Sequence, residues 1–370
     1  MSLLLAFCGK LCYYNDRIEY LRTDFDKILI FSYIGEKMDI GVLGAGTWGI
    51  ALAKLLCENG HRVTVWSALP QEIEWLSGGH EHTHLPGVKL PADIEYTDNI
   101  EKALGGEFVL SAVPSAYLRS TVRTAAPFLR AEQTVIDAAK GMESGTLFTL
   151  TEVIADEMKK CGVAFSPKLV ALSGPTHAEE VAVGMPTSVV CACEDEECAK
   201  KAAALFMNSC MRVYTNTDVR GVEFCGALKN VIALASGMIS GMGYGDNTRA
   251  MLITRGIAEI TRVGLAMGCK RRTFMGLAGI GDLIVTCTSR HSRNNRCGEY
   301  IGQGMTYKEA SEKVGMVVEG YYALEAAAEI SRRYGEMPII NAVYDVVMNG
   351  RAPSDAMEAL MSRAMRSELD

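Results

Sequence analysis

The sequence predicts an α/β amino-terminal domain on a largely parallel sheet, followed by an all-α carboxy-terminal domain. Three observations carry this. The stretch from Asp39 to Trp66 reads strand, glycine-rich turn, helix, strand. Strands go on alternating with helices to about Val213. From Val222 onward Ala, Leu, Met, Glu, Lys and Arg dominate, with apolar residues at helical spacing. At 370 residues the chain is too long for one ordinary core, since domains run to about 100–200 residues each. The change of pattern puts a boundary near 214–220, giving domains over 38–216 and 217–370.

The elements follow in order. Residues 1–37 differ from the rest. The apolar start has no basic residues before it and no clear small-residue cleavage site, so it does not read as a secretory signal. Residues 13–27 are mixed and polar, and 28–34 are briefly apolar. The domain proper is expected to begin near Met38, leaving 1–37 as a leader or extension. Asp39–Leu43 (DIGVL) is a buried strand, 50–58 a helix ending at Asn59-Gly60, and Arg62–Trp66 (RVTVW) a second strand. Residues 71–99 read as loop-rich. Further strands are expected at 108–113, stopped by Pro114-Ser115, and at 134–138, entering Ala139-Lys140-Gly141. Two more are expected at 169–172, entering Ser173-Gly174-Pro175, and at Thr187–Ala192. Helices are expected over 230–241, 248–267, 306–313, 320–334 and 337–349.

Composition excludes several classes. With 49% hydrophobic and 22% charged residues a packed core is available and global disorder is excluded. The net charge of −7 argues against a nucleic-acid or anionic-membrane surface. No run approaches the roughly 18 consecutive apolar residues of a membrane span. Most of the 12 cysteines lie in or beside apolar runs, as reduced thiols of a cytoplasmic protein do, and no CxxC occurs. His80, His82 and His84 alternate and would share one face of a strand, as a metal site needs. No further histidine lies nearby, so the segment reads as a loop and no metal is expected.

Gly44-Ala45-Gly46-Thr47-Trp48-Gly49 is a GxGxxG that follows a strand, opens a helix and lies inside a βαβ unit. In that context it reads as the phosphate-binding turn of a Rossmann-type dinucleotide domain. The first glycine permits the turn, the second lets the backbone approach a pyrophosphate, and the third lets helix and strand pack closely. The second strand ends in Trp66-Ser67-Ala68-Leu69, with neither the acid that favours NAD nor the cation that favours NADP. The cofactor is NAD or NADP, and the preference stays open at this point.

Three more signatures stand out. Ala138-Ala139-Lys140-Gly141-Met142 puts a lysine past one strand end, and Ser173-Gly174-Pro175-Thr176-His177-Ala178 puts a small-residue turn past another. Cys225-Gly226-Ala227-Leu228-Lys229-Asn230-Val231 sets a lysine in apolar surroundings. Desolvated there near another cation, it would lose its proton near neutral pH; the alternative is an ordinary helix-start lysine. Farther on, a glycine-rich loop carries Asp282, and Ser292-Arg293-Asn294-Asn295-Arg296 offers a guanidinium fork with a hydroxyl and an amide. That trio suits a phosphate or carboxylate, although composition alone would read it as a solvated polar loop.

From about Met38 to about Ala364 the chain resembles the bacterial-type NAD(P)-dependent glycerol-3-phosphate dehydrogenases. The carriers are GVLGAGTWGIALA, AVPS, KGME, LSGPTHAEEVAVGMPTSVV, CGALKNVIALASG, NTRAMLITRGIAEITRVG, TFMGLAGIGDLIVTCTS, SRNNR, VVEGYYA and EMPIINAVY. The resemblance implies a Rossmann-type domain, a helical domain like the carboxy-terminal part of 6-phosphogluconate dehydrogenase, and a site between them. It implies that Thr47 and Trp48, with Gly44, Gly46 and Gly49, hold the cofactor. Lys140 would touch cofactor and substrate, Gly174 and Thr176 the substrate, and Ala178 the cofactor. Lys229 would accept the proton of glycerol 3-phosphate, and Asp282 would contact substrate and position that lysine. Ser292, Arg293 and Asn294 would hold the substrate, Arg293 also reaching the cofactor, and Val317 and Glu319 would close over the nicotinamide. It implies hydride exchange giving dihydroxyacetone phosphate, a cytoplasmic homodimer, and a supply of glycerol 3-phosphate for phospholipid synthesis. Two departures stand out: the family commonly has Arg or His where this chain has Ala68, and SRNRR where it has SRNNR.

Overall fold

The computed structural model describes residues 36–79, 81–365 and 367–368. The leader expected over 1–37 lies almost wholly outside them, and so does His80. Eight strands form one sheet: β1 Asp39–Leu43, β2 Arg62–Trp66, β3 Glu95–Thr97, β4 Phe108–Ser111, β5 Thr134–Asp137, β6 Lys168–Ser173, β7 Thr187–Ala192 and β8 Met211–Asn216. Their order is β3-β2-β1-β4-β5-β6-β7-β8. All pairs are parallel except β6 with β7. The chain leaves β1 for β2 and β3 on one side and returns to β4 on the other. The switch point therefore lies between β1 and β4, where open α/β sheets bind ligands.

Helices cover both faces of this sheet: α1 Thr47–Glu58, α2 Pro70–Ser77, α3 Ile100–Ala103, α4 Ser115–Ala125, α5 Leu150–Lys160, α6 Ala178–Ala182 and α7 Glu196–Phe206. One core packs Ile50, Leu52 and Leu56 of α1 against Val42, Val65 and Leu110; the other packs Leu118, Val122, Val153 and Ile154 against Val109 and Val135. The antiparallel turn-back from β6 to β7 needs no crossover. It leaves the Gly174–Ala178 turn and α6 at the sheet edge where β1, β4 and β5 also end. The segment read as loop-rich contains the short α2 and the three-residue edge strand β3, both too brief for a clear period.

The second half is helical: α8 Val219–Gly241, α9 Asp246–Ala266, α10 Arg271–Phe274, α11 Asp282–Thr288, α12 Arg293–Gly302, α13 Tyr307–Val314, α14 Glu319–Tyr334, α15 Pro338–Asn349 and α16 Pro353–Met361. A π-helical turn, Leu277–Gly281, leads into α11. Helix α8 starts well before the expected 230. Gly221, Cys225 and Gly226 are poor helix formers, but burial on nearly every side overrides propensity. It is long and apolar enough to cross a membrane, yet 94% of that window is buried inside the protein. Residues 292–296, where composition alone suggested a polar loop, start helix α12, whose N-cap Ser292 accepts from Asn295 N–H.

Helices α8 and α12 run side by side at backbone contact. A Cβ on Gly298 would lie 2.0 Å from the Leu234 carbonyl oxygen, and one on Gly237 1.9 Å from that of Asn295. Gly298→Ala is therefore expected to cost about 1–3 kcal/mol, the usual range for overpacking, read as a lower denaturation midpoint.

Candidate active site

The strand ends bring the expected loops to one edge. Gly44 has φ +110°, and a Cβ there would sit 3.0 Å from the Ala112 carbonyl oxygen. A Cβ on Gly49 would sit 2.0 Å from the Gly44 carbonyl oxygen, whereas Gly46 faces open space. The first turn of α1, with buried Thr47, has no side-chain cap and no acidic residue. Its free N–H groups and positive dipole end suit a pyrophosphate, so these residues fit a dinucleotide. Two side chains brace the cradle. Trp48 Nε1 donates to the Ala138 carbonyl at 3.1 Å, tying α1 to the strand that leads to Lys140. His82 is buried, and its Nδ1 accepts from His84 N–H at 3.2 Å. That leaves Nε2 to donate to the Ala45 carbonyl at 3.1 Å. So the HxHxH segment contributes a loop brace through His82; His84 is exposed.

Across the edge, Asp282 sits fully buried at the start of α11 and bridges the two halves of the chain. Its Oδ2 accepts from Lys140 Nζ at 2.7 Å and its Oδ1 from Lys229 Nζ at 2.5 Å. Lys140, from the β5 side, also donates to the Gly174 carbonyl at 2.9 Å and to Thr176 Oγ1 at 3.2 Å. Gly174 has φ +143°, which opens its carbonyl to the lysine. Lys229, on α8, also donates to Thr286 Oγ1 at 2.7 Å, and Thr286 is anchored on the Asp282 carbonyl at 2.6 Å. Burial pulls the Lys229 pKa down to about 7, the Asp282 carboxylate opposing and the Lys140 charge adding to the fall. Such an amine exchanges a proton at neutral pH.

A second network lies beside the first. Asn230 donates to the Lys140 carbonyl at 3.4 Å and accepts from Asn294 at 3.0 Å, and Asn294 accepts from Gly320 N–H at 2.8 Å. Asn294 is thus a strut joining α8, α12 and α14, and the Ser292 hydroxyl caps α12. Asn295, the departure from SRNRR, donates to the Cys287 carbonyl at 2.9 Å. Arg293 is half-buried, faces the carboxylates of Glu319 and Glu179, and forms no hydrogen bond or ion pair among the described residues. Glu319 opens α14 and reaches across to Ser115, accepting from its N–H at 3.2 Å and from its hydroxyl. Burial raises the Glu319 pKa, and the Ser115 bonds and Arg293 partly offset this. Val317 is half-buried just before α14, and Ala178 is half-buried at the start of α6, against the sheet core.

Lys140, Gly174, Thr176, Lys229 and Asp282 therefore form one hydrogen-bonded cluster, with Arg293 and Glu319 on its flank. Asn230, Thr286 and Ser115 were not singled out as site residues from the sequence, and His82 was weighed there only as a metal ligand. The first two lie in CGALKN and TCTS, beside residues that were, but their contacts exist only in the fold.

A Rossmann-type sheet with a fitted phosphate cradle, facing a buried lysine–aspartate–lysine cluster, defines a dinucleotide-dependent dehydrogenase of two halves. Residues 39–199 match the family model described as the NAD-dependent glycerol-3-phosphate dehydrogenase N-terminus, and residues 218–358 match its C-terminus. The chain belongs to the NAD(P)-dependent glycerol-3-phosphate dehydrogenase family. It is 56% identical over 332 residues to glycerol-3-phosphate dehydrogenase [NAD(P)+] 2 of Lactobacillus delbrueckii subsp. bulgaricus, covering 89% of this chain and 98% of that protein. It is 47% identical to glycerol-3-phosphate dehydrogenase [NAD(P)+] of Agathobacter rectalis, covering 89% and 97%. The crystal structure of glycerol-3-phosphate dehydrogenase from Coxiella burnetii superposes with a TM-score of 0.84 at 33% identity, covering 88% of this chain and 99% of that one.

Proposed function

We propose that this chain interconverts glycerol 3-phosphate and dihydroxyacetone phosphate by hydride transfer with a nicotinamide dinucleotide. The observation that carries the reading is the carboxylate of Asp282 shared between Lys140 and Lys229 where the two halves meet. The dinucleotide, held at Gly44, Gly46, Thr47, Trp48 and Gly49, supplies the hydride chemistry when bound. Lys229 takes the proton of the C2 hydroxyl in oxidation and returns it in reduction. Asp282 holds the two ammonium groups together, and Lys140 stabilises negative charge developing on the C2 oxygen. Arg293, with no hydrogen bond or ion pair among the described residues, is free to clamp the distal phosphate. Ser292 and Asn294 set its position through the cap and strut they form.

The test is the loss of NADH or NADPH absorbance with dihydroxyacetone phosphate and, separately, with 2-keto acids. Turnover of the keto acids alone would overturn the reading. The lowered Lys229 pKa also fixes the sign of the pH dependence. Oxidation needs the neutral amine, so its kcat/KM should rise with pH and level off above about 7. Reduction needs the ammonium and should fall over the same range. Profiles with the same slope in both directions would remove Lys229 from proton transfer.

The domain division at 214–220 belongs to the same reading, supported by the last strand ending at Asn216 and α8 starting at Val219. A cytoplasmic homodimer that supplies glycerol 3-phosphate for phospholipids also belongs to it. The ten described cysteines are all unpaired, which supports a reducing compartment. Sedimentation at two protein concentrations tests the dimer.

A further inference from the structure

In sequence, the strand end that usually reads the adenosine ribose offers no acid: Trp66 is followed by Ser67, Ala68 and Leu69. The fold supplies one from the next helix. Glu72 lies in the first turn of α2 and turns back, so that its Oε2 accepts a hydrogen bond from Ser67 Oγ at 2.6 Å. The same hydroxyl accepts from Leu69 N–H at 3.2 Å, which pins serine and carboxylate together at the tip of β2. Glu72 is half-buried, and its Oε1 has no hydrogen-bond partner among the described residues.

That tip lies against the phosphate cradle. Gly44 N–H donates to the Trp66 carbonyl at 2.8 Å, joining the first glycine of the turn to the last residue of β2. His82, which holds the Ala45 carbonyl, lies within electrostatic range of Glu72. Between Ser67 and Gly79 the chain has no Lys or Arg to offset the carboxylate, and Glu74 adds a second negative charge. A carboxylate with a free oxygen here can accept from a ribose 2′-hydroxyl, and it repels a 2′-phosphate.

We propose that Glu72, held by Ser67, reads the adenosine ribose and makes this chain prefer NAD over NADP. The proposal rests on Gly44–Gly49 being the dinucleotide turn. It deepens that reading by assigning a specificity residue that lies outside the strand-end register.

Direct titration of NADH and NADPH against the full chain, followed by nucleotide fluorescence, tests it without turnover. The wild type is expected to bind NADH at least about tenfold tighter than NADPH. Glu72→Gln keeps the size and the Ser67 contact but removes the charge. It should narrow that ratio about tenfold, mainly through tighter NADPH binding. Adding Ala68→Arg, at an exposed position, should then invert the preference. A wild type that binds NADPH as tightly as NADH overturns the proposal. So does a Glu72→Gln ratio within twofold of wild type, including the case where only the melting temperature falls, because Glu72 would then merely secure the start of α2. A wild type that binds neither nucleotide would instead sink the reading of the turn itself.

Discussion

Lys229→Ala is expected to lower kcat by about 10²–10⁴ while leaving the NADH dissociation constant within about twofold. The reason lies in what the lysine touches. Its Nζ meets Asp282 and Thr286 in the helical half, whereas the phosphate cradle lies at the β1–β4 switch point. Removing it takes away an amine whose pKa burial draws down to about 7. Lys229→Arg should fare as badly, because a guanidinium keeps its proton throughout the working range. Rapid-mix kinetics with dihydroxyacetone phosphate, alongside nucleotide titration, separates the two effects. A wild-type kcat in either variant would take Lys229 out of the proton transfer.

Arg293→Ala is expected to raise KM for dihydroxyacetone phosphate by about 10–100-fold and KM for NADH by far less. Charge-assisted hydrogen bonds are worth about 1.5–3 kcal/mol each. The guanidinium is held by its position at the first turn of α12 and has no hydrogen-bond partner among the described residues, so its donors are available to a ligand. Arg293→Lys should recover only part of the loss, since an ammonium lacks the planar fork. Equal rises in both KM values would show that Arg293 anchors something other than the substrate phosphate.

Much of this molecule is legible from the chain alone because its signals are local. The βαβ start, the glycine turn and the strand ends at Ala138 and Ser173 each occupy a few contiguous residues, and the sheet needs little beyond them. The helical half announced itself through spacing, but α8 hid its start among glycines that tertiary burial forces into a helix. Lys140, Lys229 and Asp282 were each visible as odd residues in apolar or glycine-rich settings. That one carboxylate holds both lysines was not, because it depends on α11 and the π-helical turn before it. The roles of Glu72 and His82 were illegible for the same reason. Their partners, Ser67 and Ala45, are chosen by how a turn folds back rather than by any spacing in the sequence.

The glycine contacts between α8 and α12 bear on which substrates the chain accepts. Lys229 rides on one of these helices and Arg293 starts the other, and the Asn230–Asn294 bond ties them near those residues. With backbones already touching at Gly237 and Gly298, neither helix can slide or back away without breaking the seam. The pair therefore acts as a fixed gauge, and the span from anchor to amine is set by the scaffold rather than by the ligand. A phosphorylated ketone one carbon longer is expected to seat its phosphate normally and to present its carbonyl out of reach. It should then bind competitively against dihydroxyacetone phosphate while turning over at least about tenfold more slowly.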